Sequence, residues 1–279
     1  MRTRFLILFV VLTMWLAACQ PAAPIQEPTP TPPRVPVSSD GQTLGSNAPE
    51  IVWDADPGTL VISGTFCCGF TTPLVPLNYI PDFQVWGDGR YVWVVYGSDS
   101  PSRQVLQGQF TEEQLATFLQ KAVDAGFFGW EDRYENYLVA DMADQCMSIH
   151  LESASKTVCE YAEGAPDAFH ALYDMLARGN GIEGTDFIPE RGYLLAYAYP
   201  REVLRPISEN DILWPTDKLF PLADAVETGA WVEGDALLLA WQTVNADPWN
   251  STIRDAEGFY NLTLQIPGLS MNQPPAEMP

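Results

Sequence analysis

Four short segments between residues 59 and 110 are rich in apolar, aromatic and β-branched residues, a pattern that is typical of β-strands. The segments are 59–66, 82–86, 90–97 and 104–110. Gly87-Asp88-Gly89 separates the middle two, which indicates a β-hairpin. The stretch Arg90–Tyr96 is apolar on both alternating faces, so we expect a central strand that is covered on both sides.

Two later segments have apolar residues at helical spacing. Thr111 opens the first, and Gln114 three residues later completes the sequence of a capping box. Pro166 is placed as the first residue of the second helix. A hairpin at 145–161 lies between them. The order of strands, helix, hairpin and helix predicts an α+β fold for residues 50–182, with two helices packed on one face of an antiparallel sheet.

The pattern changes after residue 182. Three further strands are predicted at 193–199, 235–245 and 258–266, and the middle one contains a run that is apolar on both faces. We therefore expect residues 183–271 to form a smaller β-rich C-terminal part, either a separate domain or an extension of the first sheet. Residues 272–279 contain three prolines and are predicted to be a disordered tail.

The first residues have the pattern of an export signal. Arg2 and Arg4 precede an apolar run that is too short to span a bilayer, which takes about 20 apolar residues. The following stretch Leu16-Ala17-Ala18-Cys19 resembles the bacterial lipoprotein box. The resemblance implies a signal peptide at 1–18, cleavage before Cys19, and acyl chains such as palmitate on that cysteine. The chain is then anchored by lipid to a membrane outside the cytoplasm, at the cell surface or in the periplasm.

Residues 20–49 contain eight prolines, which exclude a helix or a central strand. We interpret residues 19–49 as a lipid-anchored tether. In polyproline II geometry it reaches up to about 90 Å, at ~3.1 Å per residue. Such a tether would hold the folded body clear of the lipid surface.

Acidic residues outnumber basic ones, with 36 Asp and Glu against 14 Lys and Arg and a formal net charge of −22. Loss of the predicted signal peptide removes two arginines and leaves 12 basic residues, for a charge of −24. This charge argues against nucleic acid as a partner, because phosphate would be repelled. It also argues against the body lying flat on anionic lipid. We interpret it as a solvated acidic surface; the alternative is attraction of a cation or a basic partner.

Four cysteines remain after Cys19 is assigned to lipid: Cys67, Cys68, Cys146 and Cys159. An even number in an exported chain predicts two disulfides, with three connectivities. A turn centred between residues 152 and 153 places Cys146 opposite Cys159 on paired strands, within disulfide reach. Cys67 and Cys68 would then be bridged to each other or both reduced. Crossed bridges between the two pairs remain open.

Catalytic motifs are missing from the sequence. His150 and His170 have no second histidine at metal spacing, and no Gly-x-Ser-x-Gly or His-Glu-x-x-His motif is present. No catalytic residue and no cofactor is predicted. Carboxylates are abundant enough for pairs to arise by chance, although a glycosidase needs only two of them.

The acidic residues and the tryptophans indicate two further candidate sites, one for calcium and one for recognition of a partner. Calcium is the candidate ligand of the acidic residues Glu131, Glu135, Asp141 and Asp144, because extracellular calcium fills weak oxygen sites. Trp214 and Trp249 lie in proline-rich loops and are candidate recognition residues, since an exposed indole grips a partner or stacks on a sugar ring.

Residues 59–178 resemble a family of uncharacterised bacterial domains that are often carried by lipoproteins. The resemblance rests on a cysteine-containing turn ending in Pro73, the Gly87-Asp88-Gly89 turn, the Thr111–Leu115 helix start, Gly126-Phe127-Phe128 and the stretch 156–161 with Pro166. Tyr134 and Asp141 also match. Thr72 stands where the family usually has a cysteine, and Cys67 is a candidate substitute partner for Cys68. The resemblance implies a fold and no established activity.

Two functions follow from the sequence. The first is a lipid-anchored, non-enzymatic binding or adaptor module at the cell envelope, with a protein or an envelope polysaccharide as partner. The second is an exported hydrolase that uses carboxylates on envelope or environmental polysaccharide. A deep pocket with two facing carboxylates of raised pKa favours the enzyme. A flat aromatic surface near Trp214 or Trp249 favours the binding module.

Overall fold

The computed structural model describes residues 48–199 and 211–276, which lie within one compact unit spanning residues 46–279. Cys19, the signal peptide and most of the predicted tether lie outside the described residues. The strands are β1 (Leu60–Cys67), β2 (Phe83–Trp86), β3 (Arg90–Tyr96), β4 (Arg103–Gln109), β5 (Arg133–Glu135), β6 (Asp144–His150), β7 (Ser155–Tyr161), β8 (Thr185–Asp186), β9 (Gly192–Ala198), β10 (Ala230–Val232), β11 (Thr252–Arg254) and β12 (Phe259–Gln265). The α-helices are α1 (Leu74–Leu77), α2 (Glu112–Asp124), α3 (Asp167–Ala177) and α4 (Gly234–Ala246).

Eight strands form one sheet in the order β5-β7-β6-β1-β2-β3-β4-β8, in which only the β5–β7 pair is parallel among the described strands. Four more form a second, antiparallel sheet in the order β10-β9-β12-β11. An α+β fold with a predominantly antiparallel sheet is therefore confirmed. The hairpin of β2 and β3 around Gly87-Asp88-Gly89 is confirmed too, with Gly89 N donating to Trp86 O at 2.9 Å.

The two ends of the strands in the first sheet are flanked by different segments of the chain. The described chain begins at one end, where Glu152 N donates to Val52 O at 2.8 Å and Gly87 N donates to Thr59 O at 2.9 Å. We call this the entry end. β1 runs away from it to Cys67, which is paired with Asp144 at the start of β6. We call the opposite end of these strands the loop end; it lies about 23 Å away for the eight residues of β1.

The first hydrophobic core includes the apolar sides of α2 and α3. Thr111 caps α2 as predicted, since its side chain accepts from Gln114 N while Gln114 accepts from Thr111 N. The buried residues of the two helices contact strand residues of the first sheet, among them Phe83 and Met147. Side chains three and four positions apart share one helical face, which explains this burial.

The second core joins the two sheets. It contains Trp86, Val94 and Val105 of the first sheet together with residues of the second sheet and of α4. β8, which follows residue 182, pairs with β4 of the first sheet. The C-terminal part thus shares a core with the rest of the body.

One predicted strand is wrong. Residues 235–245 belong to α4, which begins at Gly234. Its buried residues Ala236, Leu237, Ala240, Trp241 and Val244 recur at helical spacing, although Leu238 and Leu239 fill the positions between them. A short apolar run fits a buried strand and a buried helix equally well, and here its eleven-residue extent and its leucines and alanines favour the helix.

The predicted disordered tail is partly packed. Met271 N donates to Tyr79 O at 3.0 Å, and Asn272 Nδ2 donates to Pro76 O. Gly268 N donates to the side chain of Gln273 at 2.8 Å. The chain therefore stays attached to the body as far as Gln273.

Candidate functional site

Three loops meet at the loop end of the first sheet. The segment 68–73 follows β1, the segment 136–143 joins β5 to β6, and the segment 247–251 follows α4. Phe70 N donates to Asp141 O at 3.3 Å, and Thr72 Oγ1 donates to Trp249 O at 3.4 Å. These hydrogen bonds connect the first loop to each of the other two.

Large apolar side chains on these loops point into solvent. Leu138 is 94% exposed, Phe70 87% and Tyr137 86%, and Trp249 is 50% exposed. Phe66, at the end of β1, and Met142 are exposed as well. We call the set of Phe66, Phe70, Tyr137, Leu138, Met142 and Trp249 the apolar loop surface. The hydrogen bonds between the loops bring these side chains to the same end of the sheet, and large exposed apolar patches on soluble proteins mark contacts with another molecule.

Local hydrogen bonds fix the loop that carries Tyr137 and Leu138. Asn136 Oδ1 accepts from Leu138 N at 3.0 Å, and Asn136 Nδ2 donates to Glu163 Oε1 at 2.7 Å. The hydroxyl of Tyr161 accepts from Met142 N at 3.3 Å. Asparagine favours such turns because its side chain bonds its own backbone. The exposed side chains are thus carried on an ordered backbone.

Gly69 lets the first loop approach the second. Its φ is +59°, and a Cβ built there would lie 2.7 Å from Asp141 O. Glycine is the residue that adopts this conformation without steric cost. The two loops can be this close only because residue 69 has no side chain.

Trp249 is held by an aspartate at the start of its loop. The backbone N–H groups of Trp249 and Asn250 both donate to Asp247 Oδ1 at 3.1 Å. The prediction of an exposed Trp249 in a loop agrees with its half-exposed ring. Its role in recognition stays a prediction.

Trp214 is not at the surface. Its side chain is 1% exposed, and its Nε1 donates to Phe220 O at 2.7 Å. The indole packs edge-on against Phe220 with ring centroids 5.5 Å apart. The expectation of an exposed indole at this position is therefore wrong, because a proline-rich loop folds over the second core and uses Trp214 to fill it.

The four candidate calcium ligands do not converge on one point. Arg133 pairs with Glu135 and, at 2.8 Å, with Asp144. Asp141 and Glu131 lie exposed on different loops. Within residues 48–199 and 211–276, no group of three or more His, Cys, Asp or Glu could hold a metal ion. Calcium binding stays a prediction.

The cysteines pair as the hairpin register predicts. Met147 faces Val158 and Cys146 faces Cys159, with the Cα atoms of the two cysteines 4.0 Å apart and their sulfurs bonded. Cys67 and Cys68 are bridged to each other at the start of the first loop. Both bridges lie near the loop end, whereas a crossed connectivity does not occur.

A buried polar cluster lies beneath the apolar loop surface. Tyr173 OH donates to Asp82 Oδ2 at 2.7 Å, and Tyr79 OH donates to Asp82 Oδ1 at 3.0 Å. Tyr96, which is half-exposed, donates its hydroxyl to the same oxygen at 3.4 Å. The hydroxyl of Tyr79 also accepts from Phe66 N at 2.6 Å, which connects the cluster to the end of β1. Burial raises the pKa of the Asp82 carboxyl, and the three tyrosine hydrogen bonds oppose that rise.

The raised pKa of Asp82 predicts a pH dependence of stability. The folded state disfavours the ionised carboxylate, so this group stabilises the fold most below its unfolded pKa of about 3.9 and loses that contribution as pH rises through its folded pKa. The Asp82→Asn variant has a side chain at this position that stays neutral over the whole pH range. We expect the free energy of unfolding of the wild type, minus that of Asp82→Asn, to fall between pH 4 and pH 8.

Urea unfolding of both proteins across this range measures the difference, with the exposed Asp99→Asn as matched control. A difference that instead grows with pH would show that the tyrosine hydrogen bonds to the carboxylate outweigh its burial.

Two cavities in the described part of the chain each have two acidic residues in their lining. The larger, of about 700 Å³, lies at the loop end and is lined by Glu135, Asn136, Tyr137, Leu138, Glu163 and Gly164. A cavity of about 460 Å³ at the entry end is lined by Ile51–Trp53, the Gly87–Gly89 turn and the start of α2, with Asp88 and Glu112 as its acids. Asp88 Oδ1 accepts from Arg90 N at 3.0 Å. Asp82, the carboxyl of raised pKa, faces three tyrosines rather than a second carboxylate.

This chain matches no family model, no curated protein and no solved structure. Within the described residues, no helix has the length and apolar character needed to cross a bilayer.

Sequence reasoning missed most of the apolar loop surface. The run Tyr137-Leu138-Val139-Ala140 stands between polar residues and belongs to no strand or helix of the predicted fold. An apolar run without an assigned element is a signal of exposure or of an unrecognised strand. The structure shows that these residues form a loop.

Proposed function

We propose that this protein is a lipid-anchored extracytoplasmic binding module and that its apolar loop surface contacts the partner. The anchor is proposed from the residues around Cys19, and the cell envelope is the proposed location. We also propose that α2 and α3 cover one face of the first sheet and make it a rigid scaffold for the loops.

The observation that carries this proposal is the exposure of Phe70, Tyr137 and Leu138 on loops with fixed backbones. Interface centres are enriched in aromatic side chains and methionine, and ordered loops on a rigid scaffold lose little entropy on binding. Burying each large apolar side chain contributes about 1.5–3 kcal/mol. Phe70, Tyr137 and Leu138 have most of their surface left to bury, whereas the other three side chains of the apolar loop surface are already about half buried and contribute less.

Chemical crosslinking of intact cell envelopes tests the proposal with the full-length chain. Phe70→Ser, Leu138→Ser and Trp249→Ser are combined in one variant. The matched control combines Val52→Ser, Ile188→Ser and Leu213→Ser, which are exposed apolar residues elsewhere on the body. We expect the wild type and the control to give the same crosslinked product, and the loop-surface variant to lose at least about 90% of it, since interface centres dominate affinity.

Equal yields from the loop-surface variant and the control would contradict the proposed binding face. The anchor is tested separately by Cys19→Ser, for which we expect loss of the protein from the membrane fraction and loss of acyl mass. A Cys19→Ser chain that stays in the membrane fraction with unchanged mass would overturn the lipid anchor.

A further inference from the structure

The apolar loop surface and the start of the folded body lie at opposite ends of the first sheet. Ser153 Oγ donates to Glu50 O at 3.2 Å and Trp53 Nε1 donates to Gly87 O at 3.1 Å, so residues 50–53 are fixed at the entry end. Phe70 and Leu138 lie beyond the far end of β6, whose seven residues span about 20 Å. A lipid anchor that precedes residue 50 therefore attaches to the body at the end away from the loop surface.

Acidic side chains surround the apolar loop surface. The segments 66–73, 133–144, 160–167 and 246–251 contain seven acidic residues, at positions 135, 141, 144, 160, 163, 167 and 247. Arg133 is the basic residue in these segments, and it is paired with Glu135 and Asp144. Glu160 is buried, with its Oε2 3.5 Å from His170 Nε2, and the exposed acids among the seven are Asp141, Glu163 and Asp167. The surface thus has an apolar centre and a negatively charged rim.

This charge pattern favours one class of occupant. Anionic lipid headgroups would be repelled by the acidic rim. A protein surface with an apolar centre and a rim of Lys and Arg is complementary to both features. Opposite rim charges accelerate encounter and exclude acidic partners.

Resting on the proposed function, we propose that the apolar loop surface binds a protein whose apolar contact face is rimmed by basic residues. The rim acids set the choice of partner, while the apolar side chains supply most of the affinity.

The test uses full-length lipidated protein in nanodiscs of phosphatidylcholine and two synthetic 18-residue amphipathic peptides, one of Leu and Lys and one of Leu and Glu. Fluorescence anisotropy of labelled peptide measures affinity. We expect the Leu/Lys peptide to bind, the Leu/Glu peptide to bind at least about tenfold more weakly, and the affinity for the Leu/Lys peptide to fall with added salt.

Two variants with equal charge change separate the rim from the net charge of the body. Asp141→Asn with Glu163→Gln removes two rim acids, and Glu112→Gln with Glu113→Gln removes two acids at the start of α2. We expect a loss of about fivefold in affinity for the rim variant and little change for the α2 variant, since screened charges act mainly at short range. Equal losses in both variants would overturn the rim as the selective element.

The outcomes distinguish this inference from the proposed function. If the wild type binds both peptides equally well and Leu138→Ser abolishes that binding, the preference for a basic partner is contradicted and the proposed binding face is supported. If Leu138→Ser leaves the affinity for the Leu/Lys peptide unchanged, both the proposed function and this inference are contradicted. The unlipidated Cys19→Ser chain is also mixed with phosphatidylcholine vesicles, and no co-sedimentation is expected. Co-sedimentation that Leu138→Ser removes would identify lipid as the occupant and overturn the inference.

Discussion

Replacing Trp214 with alanine is expected to lower the free energy of unfolding by about 3–5 kcal/mol, which is the range for deletion of a large buried aromatic side chain. The indole is 1% exposed, contacts the second core and donates a hydrogen bond to Phe220 O. Its removal leaves a cavity and an unpaired carbonyl. Urea unfolding followed by circular dichroism measures the change.

Trp249→Ala is the matched control for Trp214→Ala. Its ring is 50% exposed, so we expect a change within about ±0.5 kcal/mol, as for other surface substitutions. The two tryptophans were equivalent candidates by sequence, and the structure separates them. Similar effects of the two substitutions would contradict the assignment of one to the core and the other to the loop surface.

Removing the Cys146–Cys159 bridge by Cys146→Ser with Cys159→Ser is expected to lower the free energy of unfolding by about 3 kcal/mol. The bridge spans a sequence separation of 13, and the loop-closure entropy for a loop of that size gives this magnitude. It joins β6 to β7, next to the parallel strand β5. Denaturant unfolding under oxidising conditions measures the loss.

Cys67→Ser with Cys68→Ser is the matched double variant. Its cysteines are adjacent in sequence, so the loop closed by the bridge is much shorter and the entropic stabilisation should be smaller. A larger loss from the Cys67 and Cys68 pair than from the hairpin pair would contradict this order.

The start of α2 and the register of the β6–β7 hairpin could be predicted because each depends on residues that are close together in the sequence. The capping residues Thr111 and Gln114 satisfy backbone groups of their own helix, and the register that pairs Cys146 with Cys159 depends only on a turn between them. Interactions between residues so close in sequence leave a pattern that can be read without knowing the rest of the chain. Long-range pairings such as β1 with β6 and β4 with β8 join these local units into the eight-stranded sheet, and the sequence pattern does not predict them.

Tertiary contacts decided the parts that were not predictable. Burial of α4 against residues of both sheets makes its apolar run nearly continuous and obscures its helical period, so only its length and its leucines and alanines distinguish it from a strand. The Asp82 cluster brings together Tyr79, Tyr96 and Tyr173, and Tyr173 lies 91 positions from Asp82. No spacing rule connects residues at such separations. The exposure of Leu138 likewise depends on what the neighbouring loops leave uncovered.

The arrangement of the two sheet ends relates the fold to the proposed function. The entry end receives the chain from the predicted tether, and the loop end presents apolar side chains within an acidic rim. A stiff sheet between them keeps these ends apart. We propose that the acidic residues around the loop end narrow the choice of partner.

Photo-crosslinking from position 138 in intact cells tests the central claim most directly. A photoreactive amino acid replaces Leu138 in one full-length chain and Val52, at the entry end, in another. We predict a crosslinked protein adduct from position 138 and none of the same mass from position 52. Adducts from position 52 with none from position 138 would contradict a binding face at the loop end.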